Sequence, residues 1–429
     1  MVMNEPSNPY DALLERGFVQ QTTDAVAIRD AFSKETVVAY VGLDPTAESL
    51  HVGNLVTLMA LTHLERCGHR PLVVLGGGTA MVGDPSGKTE MRRMLSREVI
   101  ESHVAAIETQ VGSLLEVGKT TTVVNNAEWL LPLDYIEFLR DIGRHFSVNR
   151  MLSAEAYKTR LEKGLSFIEF NYQLLQAYDY LELYRRHGCV LQMGGDDQWG
   201  NIVAGIDLVR RLEQRTVHGL TFPLLTTATG EKMGKSAQGA VWLSADRFST
   251  FDYYQYWVNT HDDDVVRLLG IFTTLPMGEI REVGSLSGAE LNAAKSILAY
   301  EATRILHGPE AALESHRAAV GAFGRRAVPS NVLPSSSIPR GAAGDQDAIP
   351  TTTVGSDEAN EGLALVDLMV RGELAASKSA ARRLVKQGAV RVDENRIEDE
   401  RAMITAAAFN TDAITVRVGK KKVHRFRRE

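Results

Sequence analysis

Residues 40–54 contain the side chains whose types and spacing are best suited to holding a phosphorylated ligand. The segment starts at the end of an apolar strand, breaks at Gly42, and leads into a helix whose first turn carries His51 and Gly53. Free backbone N–H groups and the helix dipole favour an anion at a helix start, so His51 would reach a phosphate oxygen there. Gly53 would let a flat base lie against the backbone. A histidine at a helix start is also common as a cap or surface residue.

The glycine-rich segment 76–89 follows a second apolar strand and is similar to a phosphate-binding P-loop. The P-loop motif requires a glycine, four further residues and then Gly-Lys-Ser/Thr. Val82 occupies the position of the first glycine, so the spacing excludes this interpretation. The segment remains a loop at a strand end, and we expect Asp84 to be an exposed carboxylate there.

A third group of candidate residues lies on a predicted helix at 167–186. Tyr172, Gln176 and Asp179 recur at i, i+4 and i+7, which places them along one face of an otherwise apolar helix. This polar and aromatic stripe would either line a binding cleft or form a solvated helix edge.

Two later loops combine charged residues with glycines. In GGDDQWGN, which follows a predicted strand at 190–193, the aspartates would cap the next helix or contact a ligand. In the segment 229–236, two glycines accompany Lys232 and Lys235, so the loop would be mobile and cationic. Both loops are also compatible with a solvated protein surface.

The composition is that of an ordinary globular protein with a sizeable core. The 429 residues are 44% hydrophobic and 24% charged, and the net charge of -7 excludes a uniformly basic nucleic-acid coat. The two cysteines show neither metal-ligand nor disulfide spacing, which fits a reducing compartment. There is no basic-then-apolar leader and no apolar run of about 18 residues, so we expect no membrane span and a cytoplasmic location.

Apolar strands alternate with helical patterns through the first half of the chain, which is typical of an α/β fold. We expect a Rossmann-like parallel-sheet domain with the candidate catalytic residues over 1–244, followed by an all-helical domain over 245–328. Residues 329–360 are rich in Pro, Ser, Gly and Thr, so we expect a linker there. Residues 361–429 would form a small α+β domain.

The C-terminal segment 361–429 is locally basic within an acidic chain. Its basic side chains lie on a predicted helix and on the last strand, and they include Lys378, Arg382, Arg383, Lys386, Lys421 and Arg425. A basic helix and a basic strand in one small domain favour contact with the phosphate backbone of RNA. A solvated charged surface is the alternative.

Taken in order, these motifs resemble those of the bacterial-type tyrosyl-tRNA synthetases of class I. HVGN and KMGKS are similar to the two class I signatures, and the family motifs between them are GDPSGK, NYQLLQAYDY and GGDDQWGN. The tail resembles a small RNA-binding domain shared with a ribosomal small-subunit protein. The resemblance covers nearly the whole chain and implies tyrosine–tRNA ligase activity, with L-tyrosine, ATP and tRNA(Tyr) as substrates.

The resemblance also implies roles for individual residues. The side chains that would bind tyrosine are Tyr40, Asp84, Tyr172, Gln176, Asp179, Gln192 and Gln198. Of these, Tyr40 and Asp179 would bind its phenol. Positions that would bind ATP are Asp44, Thr46, His51, Gly53, Asn54, Gly195, Asp197, Lys232 and Lys235. The side chains that would act in catalysis, by stabilising charge on the phosphates, are His51, Thr46, Lys232 and Lys235.

Two positions depart from the usual signatures of that family. Asn54 stands in place of the last histidine of the first signature, and Gly234 stands in place of a serine in the second. We expect Asn54 to retain a hydrogen bond to the ribose or its ring oxygen. We expect Gly234 to make its loop more flexible without removing charge.

The resemblance further implies a homodimer, with its interface on a segment inserted at about 120–165. It implies no metal bound by the protein alone, since Mg²⁺ would be carried on the ATP phosphates with few protein ligands. The substrate carboxylate is ionised at neutral pH, so its attack on ATP needs positioning rather than a general base.

Three other interpretations are open. A tryptophanyl-tRNA synthetase would share the fold, but Tyr40, Asp179 and the basic tail argue against it. A small nucleotidyltransferase would share His51 without the helical domain. A non-catalytic RNA-binding protein on a synthetase scaffold would have lost signature residues, whereas His51, Lys232 and Lys235 are present.

Overall fold

The structure is a computed structural model that describes residues 8–86, 95–153, 161, 164–228, 230, 233–236, 239–323, 328–340, 349–393, 395–409, 412–419 and 422–429. The chain forms two compact units. The first comprises the residues up to Lys235 together with Ala240–Arg247 and Val266–Arg281. The second comprises Ser236–Gly239, Phe248–Val265 and Glu282–Glu429.

The first unit is built on a six-stranded sheet. Its strands are β1 (Gln21–Thr22), β2 (Val38–Leu43), β3 (Arg70–Leu75), β4 (Thr122–Asn125), β5 (Cys189–Gly195) and β6 (His218–Phe222). The helices along this part of the chain are α1 (Pro9–Glu15), α2 (Ala25–Lys34), α3 (Val52–Arg66), α4 (Arg97–Gly112), α5 (Ala127–Leu130), α6 (Tyr135–Asp141), α7 (Val148–Ser153), α8 (Phe167–His187) and α9 (Trp199–Glu213). Two short strands follow, β7 (Lys235–Ser236) and β8 (Gly239–Ala240).

The order of the strands, β1-β6-β5-β2-β3-β4, creates a switch point between β2 and β5. β2 pairs in parallel with β3 on one side and with β5 on the other, and the β3–β4 and β5–β6 pairs are also parallel. β1 is antiparallel to β6. Open α/β sheets bind ligands outside the carboxyl ends of the strands at such a point. The predicted α/β fold with a Rossmann-like parallel sheet is confirmed.

The central strands form because their residues are apolar on both faces. Ala39 and Val41 of β2 and Val73, Val74 and Leu75 of β3 are each at most 2% exposed. Such continuous burial is typical of parallel strands covered on both sides. The strand ends, where glycine and polar residues begin, are therefore the parts of the sheet left to contact a ligand.

The domain boundary predicted near residue 245 differs from the structure, because Val266–Arg281 pack within the first unit. Arg16 is 3% exposed and donates to the carbonyls of Gly270, Thr273 and Leu275 at 3.1, 3.0 and 2.7 Å. Carbonyls at the end of a helix lack helical partners, so the buried guanidinium satisfies them. Helical periodicity does not reveal a contact between residues so distant in sequence.

Helices dominate from residue 250 to residue 323, as predicted. They are α10 (Thr250–Val258), α11 (Val265–Phe272), α12 (Met277–Glu282) and α13 (Gly288–Phe323). α13 has a kink at Gly308, whose φ of 88° is not helical, and Pro309 follows it. In the second unit, α10 and α13 pack together, and Tyr254 Oη and His316 Nδ1 are hydrogen-bonded at 3.0 Å.

The C-terminal part of the second unit has a small α+β fold. Its strands are β9 (Thr351–Val354), β10 (Leu363–Ala364), β11 (Val390–Val392), β12 (Asn395–Ile397), β13 (Met403–Ile404), β14 (Ala413–Val418) and β15 (Lys422–Arg428). Its helices are α14 (Ser356–Glu361), α15 (Leu365–Arg371) and α16 (Lys378–Lys386). Five of the strands form one sheet in the order β12-β11-β14-β15-β9, and β10 pairs with β13.

The linker predicted at 329–360 is wrong at its C-terminal end. Thr351–Val354 form β9, which pairs in parallel with β15, and Ser356–Glu361 form α14. Upstream, the buried Glu301 accepts hydrogen bonds from Ser336 Oγ at 2.7 Å and from Ser337 N at 3.0 Å. Although its composition is rich in Ser, Thr and Pro, this stretch contains the edge strand β9 and a segment at Ser336 and Ser337 that is held by hydrogen bonds to the Glu301 carboxylate.

Most of the helix predicted at 153–163 lies outside the described residues. No helix in the part of the chain that the structure describes has the length and apolar character needed to cross a bilayer.

Candidate active site

A cavity of about 380 Å³ lies at the carboxyl ends of β2, β3 and β5, at the switch point of the sheet. Its wall includes Asp44 after β2, Gly76 after β3 and Gly195 at the end of β5. The residues predicted from the sequence that line it are Tyr40, Asp44, Thr46, His51, Gly53, Asn54, Asp84, Tyr172, Gln176, Asp179, Gln192, Gly195, Asp197 and Gln198. The fold thus brings together side chains that are far apart in the sequence, as is typical of a site at a switch point.

Asp179 is a buried carboxylate in the wall of this cavity. It is 4% exposed and accepts hydrogen bonds from Trp129 Nε1 at 2.7 Å and from Asn126 Nδ2 at 3.0 Å. Burial raises the pKa of the Asp179 carboxyl to about 7, although these two hydrogen bonds act to lower it. The alternative of a solvated helix edge is therefore wrong for Asp179, which titrates near neutral pH and is placed to accept a hydrogen bond from a ligand.

Tyr40 supplies a hydroxyl to the same cavity. Its ring is 2% exposed and packs edge-on against Tyr180, with the ring centroids 5.3 Å apart. Burial raises the pKa of the Tyr40 hydroxyl well above its ordinary value, and the charge of Asp179 adds to the shift, so this group remains a proton donor.

Two buried polar atoms in the cavity wall are left for a ligand. Within the described ranges, neither the Tyr40 hydroxyl nor Gln192 Oε1 has a hydrogen-bond partner. Buried polar groups are rarely left unpaired in native proteins. A polar ligand that forms hydrogen bonds with Tyr40 and Gln192 would remove the free-energy cost of leaving these two buried atoms unpaired.

A polar cluster surrounds Asp84. This residue is 6% exposed and accepts hydrogen bonds from Ser86 N at 2.8 Å and from Gln198 Nε2 at 2.7 Å. Gln198 Oε1 accepts from Asn201 Nδ2 at 3.1 Å, and the same Asn201 nitrogen lies 3.1 Å from Gln176 Oε1. These directed hydrogen bonds fix an anionic acceptor beside the cavity, which is a suitable partner for an ammonium group.

The expectation that Asp84 would be exposed is wrong. Its loop turns back so that the backbone N–H of Ser86 and the amide of Gln198 cover the carboxylate. The sequence shows that Asp84 follows a strand, but the helix that covers it begins more than 100 residues later, at Trp199.

The first signature forms the start of α3. His51 is the N-cap residue, and its backbone N–H donates to Asn54 Oδ1 at 3.1 Å. Because the oxygen of Asn54 is used in this cap, its NH₂ is the end that remains to donate toward the cavity. A Cβ at Gly53 would lie 2.8 Å from His51 Cε1, so a larger residue would displace the imidazole.

The second signature lies directly against the first. Val52 N donates to the carbonyl of Val241 at 3.0 Å, and Leu243 N donates to the carbonyl of Leu50 at 2.8 Å. Gly234 has a φ of 85°, and a Cβ there would lie 3.2 Å from Gly53 N. Gly234 is therefore suited to this place by conformation and by close approach, in addition to the flexibility predicted for it.

The two lysines of the second signature are only partly within the structure. Lys232 lies outside the described residues, and of Lys235 the backbone alone is described, in β7. Their predicted contacts with phosphate remain predictions.

Trp242, which follows the second signature in the chain, contacts His51 of the first. It lines the cavity, and its ring centroid lies 6.4 Å from that of His51. The guanidinium of Arg247 lies 4.3 Å from the centroid of the indole. Trp242 therefore limits the positions that the His51 imidazole can take.

Five residues near the site escaped the sequence analysis: Ser86, Asn126, Trp129, Asn201 and Trp242. Asn126 and Trp129 follow the end of β4, so their position after a parallel strand was a usable signal. Asn201 lies within the GGDDQWGN motif, whose two aspartates were the residues expected to bind a ligand or cap a helix.

The basic residues predicted for RNA binding fall on two elements of the small domain. On α16, Lys378 pairs with Asp367 at 2.8 Å and Lys386 pairs with Glu400 at 3.1 Å. Arg425 is half-buried on β15, and Lys421 lies outside the described residues.

Comparison with known proteins agrees with the geometry of the cavity. The family model for tRNA synthetases class I (W and Y) matches residues 33–324, and the model for the Tyrosine--tRNA ligase SYY-like C-terminal domain matches residues 343–425. The Tyrosine--tRNA ligase of Desulfosudis oleivorans is 54% identical over 421 residues, which cover 96% of this chain and 97% of that relative. The chain belongs to the tyrosine–tRNA ligase family.

Other members of the tyrosine–tRNA ligase family are similarly related. The Tyrosine--tRNA ligase of Syntrophus aciditrophicus is 53% identical over 418 residues, with 97% of each chain covered. The C-terminally truncated mitochondrial tyrosyl-tRNA synthetase of Aspergillus nidulans has a TM-score of 0.65 and is 32% identical, covering 72% of this chain and 92% of that one.

Proposed function

We propose that this chain activates L-tyrosine with ATP, releases pyrophosphate, and transfers the tyrosyl group to the 3'-terminal adenosine of tRNA(Tyr). The observation that carries the proposal is the buried pair of Tyr40 and Asp179 in one cavity. The pair offers one hydroxyl donor and one carboxylate acceptor, which matches the two hydrogen bonds that a phenolic hydroxyl makes.

Selection of tyrosine follows from the penalty for leaving that pair unsatisfied. Phenylalanine would leave the Tyr40 hydroxyl and the Asp179 carboxylate without a ligand partner, at about 1–3 kcal/mol for each buried group and more for the charged one. Tryptophan carries a donor only, so it would satisfy Asp179 but offer no acceptor to Tyr40. The tryptophan alternative is therefore the less favoured.

The α-ammonium and carboxylate of the amino acid would meet the polar cluster around Asp84. Asp84 is held as an acceptor by Gln198 and Ser86, so it would bind the ammonium. Tyr172 and Gln176 also line the cavity, and Gln176 shares the Asn201 amide with Gln198, so both would complete the ammonium site. Gln192 and Gln198 would lie along the amino-acid and carboxylate side.

Activation requires in-line attack of the tyrosine carboxylate on the α-phosphorus of ATP. The carboxylate oxygen forms a bond to phosphorus as the bond to the pyrophosphate oxygen breaks, and pyrophosphate leaves with its electron pair. The nucleophile is already ionised, so the protein must align the two anions and stabilise the growing charge. His51 and Thr46, which both line the cavity, would donate to the phosphates, together with Lys232 and Lys235.

ATP would be held along the first signature and the end of β5. Asp44, Gly53, Asn54, Gly195 and Asp197 all line the cavity and would contact the adenine and ribose. Asn54 would donate its NH₂ to the ribose or its ring oxygen, since its oxygen accepts from His51 N.

Mg²⁺ would arrive on the ATP phosphates rather than occupy a protein site of its own. The side chains fit this role, because Asp84 and Asp179 in the cavity wall already accept hydrogen bonds from neighbouring side chains. The ion would supply further neutralisation of phosphate charge.

We also propose a homodimer formed through the segment at about 120–165. Apolar side chains along and beside this segment are exposed, and they include Leu131 at 43%, Tyr135 at 57%, Ile136 at 69%, Val148 at 56% and Phe167 at 70%. Exposed apolar residues grouped along one segment favour a protein–protein contact.

The small C-terminal domain would bind tRNA through its basic side chains, and the enzyme would act in the cytoplasm, where tRNA is charged. Arg382 and Arg383 on α16 are exposed, and Lys378 and Lys386 are on the same helix. Cationic side chains at a helix surface contact phosphates without reading the sequence.

The decisive experiment is amino-acid-dependent exchange of pyrophosphate into ATP, run with tyrosine, tryptophan and phenylalanine in parallel. Exchange with tyrosine alone is the expected result. The Tyr40→Phe variant should lose part of its preference for tyrosine over phenylalanine. Exchange with tryptophan instead would identify tryptophan as the substrate. A protein that binds tRNA but catalyses no pyrophosphate exchange would favour the non-catalytic alternative.

A further inference from the structure

The segment 44–50, which joins β2 to the first turn of α3, belongs to neither a helix nor a strand. It contains Thr46 and ends directly before His51, the two side chains proposed to donate to the ATP phosphates. Buried backbone N–H and C=O groups need hydrogen-bond partners, and a segment outside the regular elements must find them elsewhere. The partners of this segment therefore set the relative position of the two phosphate donors.

Helix α4 supplies partners at both ends of the segment. His103 is 9% exposed, and its Nδ1 lies 3.0 Å from the carbonyl oxygen of Pro45, directly before Thr46. A carbonyl oxygen only accepts, so Nδ1 carries the proton of this hydrogen bond. Gln110, seven residues further along α4, contacts the residues directly before His51. Positions i and i+7 lie on one face of a helix, so a single face of α4 holds both ends of the segment.

Gln110 uses both ends of its side-chain amide in this contact. Its Oε1 accepts a hydrogen bond from Leu50 N at 2.9 Å, and Ser49 Oγ lies 3.3 Å from the same oxygen. Its Nε2 donates to the carbonyl of Glu48 at 3.3 Å. An amide offers an acceptor and a donor in one group, whereas an ionised carboxylate offers acceptors only. Gln110 therefore has the side-chain chemistry that this stretch of backbone requires.

The residues held by Gln110 are also held by the chain that follows the second signature. Leu243 N donates to the carbonyl of Leu50 at 2.8 Å, and Ser244 N donates to Ser49 Oγ at 3.1 Å. Ser49 and Leu50 are 4% and 3% exposed. The backbone directly before His51 is thus fixed by directed hydrogen bonds to two separate elements.

Gln110 contacts the residues of the cavity wall from outside the cavity. Ser49 and Leu50 line the cavity, as do Thr46 and His51, whereas Gln110 is not among the described residues of its wall. Its side chain is half-buried. A displacement of about 1 Å in a group that aligns reactants can cost about a hundredfold in rate. A residue that fixes the backbone before His51 therefore affects the reaction without contact to the substrate.

We propose that Gln110 is a positioning residue for adenylate formation, which holds the backbone before His51 so that the imidazole meets the ATP phosphates. The inference rests on the proposed function. The hydrogen bonds of Gln110 go to residues 48–50, whereas the proposed tyrosine contacts come from β2, α8 and the loop after β3. Gln110 therefore acts on the phosphate side of the site and leaves tyrosine binding unaffected.

The test compares Gln110→Met and Gln110→Glu with the wild type in the full-length protein. Methionine keeps the length of the side chain without its amide, whereas glutamate retains an acceptor for Leu50 N. Single-turnover formation of tyrosyl-adenylate is measured at saturating tyrosine and ATP, and tyrosine binding and thermal unfolding are measured separately. Gln387→Met is the matched control, because Gln387 is exposed at the C-terminal end of α16.

Gln110→Met should form the adenylate about tenfold more slowly than the wild type, with the affinity for tyrosine unchanged. Gln110→Glu should recover part of this loss, because the hydrogen bond from Leu50 N remains. In a His51→Ala background, Gln110→Met should lower the rate by less than about twofold, since the side chain that it positions is absent. Gln387→Met should match the wild type in rate and in tyrosine affinity.

A wild-type rate in Gln110→Met would overturn the proposal. A tenfold loss that persists in the His51→Ala background, or an equal loss of tyrosine affinity, would also overturn it, because Gln110 would then support the unit as a whole. If Gln110→Met unfolds at the assay temperature, the same comparison of backgrounds is made with Gln110→Glu. Failure of the proposed function would be seen separately, as a wild-type protein that forms no adenylate with tyrosine.

Discussion

Trp129 donates its indole N–H to Oδ1 of Asp179 across 2.7 Å, and the carboxylate is 4% exposed. Burial favours the protonated form of Asp179, whereas this bond and the one from Asn126 favour the ionised form. The balance leaves the pKa of the carboxyl at about 7. The ionised form is the stronger acceptor for the hydrogen bond of a ligand phenol, so substrate binding is linked to the titration of this residue.

The affinity for tyrosine should fall as the pH drops through about 7, because Asp179 takes up a proton. Trp129→Phe removes a hydrogen bond to the ionised form and should move the midpoint to higher pH. Asp179→Asn should bind weakly without this dependence. Calorimetric titration of the protein with tyrosine, repeated over about three pH units around the midpoint, measures both the pH dependence of the affinity and its shift in Trp129→Phe. An unchanged midpoint in Trp129→Phe would contradict this account.

The same pKa has a consequence for stability with a definite sign. The folded pKa lies above the ordinary value of 3.8, so the folded protein binds the proton more tightly than the unfolded chain does. The contribution of Asp179 to the free energy of unfolding therefore falls as the pH rises from about 4 to about 7. Between about pH 5 and about pH 8 the wild type should lose stability that Asp179→Asn, which does not titrate, keeps, and denaturant unfolding of both proteins at the two pH values measures the difference.

Asn201 should act on tyrosine binding through Gln198. Asn201→Asp keeps the shape but replaces an NH₂ donor with an acceptor, so Gln198 would turn its NH₂ away from Asp84. Loss of a hydrogen bond to a charged group is worth about 1.5–3 kcal/mol, so KM for tyrosine should rise at least tenfold. KM for ATP should change little.

The control for this experiment is Asn292→Asp, the same substitution at an exposed position of α13. A cycle with Gln198→Ala should give non-additive effects, since both variants disrupt one chain of hydrogen bonds. Equal losses for tyrosine and ATP would mean that Asn201 supports the fold in general.

His51→Ala should slow adenylate formation about a hundredfold, the usual effect of removing one donor to a developing charge. Its tyrosine affinity should stay close to that of the wild type, because the phenol and ammonium contacts come from other residues. Pre-steady-state measurement of adenylate formation, with tyrosine binding followed by fluorescence, separates the two steps. A large loss of tyrosine affinity would exclude the phosphate role of His51.

Ile136→Asp should weaken or abolish a dimer, because it places a charge on an apolar side chain that is 69% exposed within the proposed interface. Val26→Asp is a matched control, since Val26 is 73% exposed on α2 outside that segment. Sedimentation at several concentrations reports the assembly of each variant. Identical sedimentation of the two variants would rule out an interface at Ile136.

Removal of the small domain should preserve adenylate formation and weaken transfer of tyrosine to tRNA. The deletion should begin at residue 343, where the match to the C-terminal family begins. A deletion from residue 361 would retain β9 without β15, so its unpaired edge should promote aggregation. Measurements of pyrophosphate exchange and of tRNA aminoacylation on the same deletion variant would show whether the domain serves only the transfer of tyrosine to tRNA. Equal loss of both activities would indicate a structural role for the domain.

The motifs and their order predicted the fold and fourteen of the residues that line the cavity, because strand ends and helix starts are marked locally by glycine and polar residues. Tyr172, Gln176 and Asp179 were correctly placed on one helix face by their spacing. The burial of Asp84 was missed, since it depends on Gln198, which is distant in sequence and comes close only in the folded sheet.

The partners of Asp179 were missed for a related reason. Periodicity assigns Asp179 to a face of α8, but it does not say that the residues after β4 lie opposite that face. The error at the linker was different in kind. β9 is a short edge strand of three threonines and a valine, and its composition alone resembles that of a solvated segment.

The pairing of β9 with β15 joins two strands that are far apart in the sequence. Thr351 of β9 lies opposite Arg425 of β15, 74 positions later, and β15 is an interior strand between β14 and β9. A contact of such large sequence separation is formed only after the intervening chain has closed a long loop, which costs entropy. β9 should therefore be the last strand to join this sheet during folding, and its amide hydrogens should exchange with solvent sooner than those of β14.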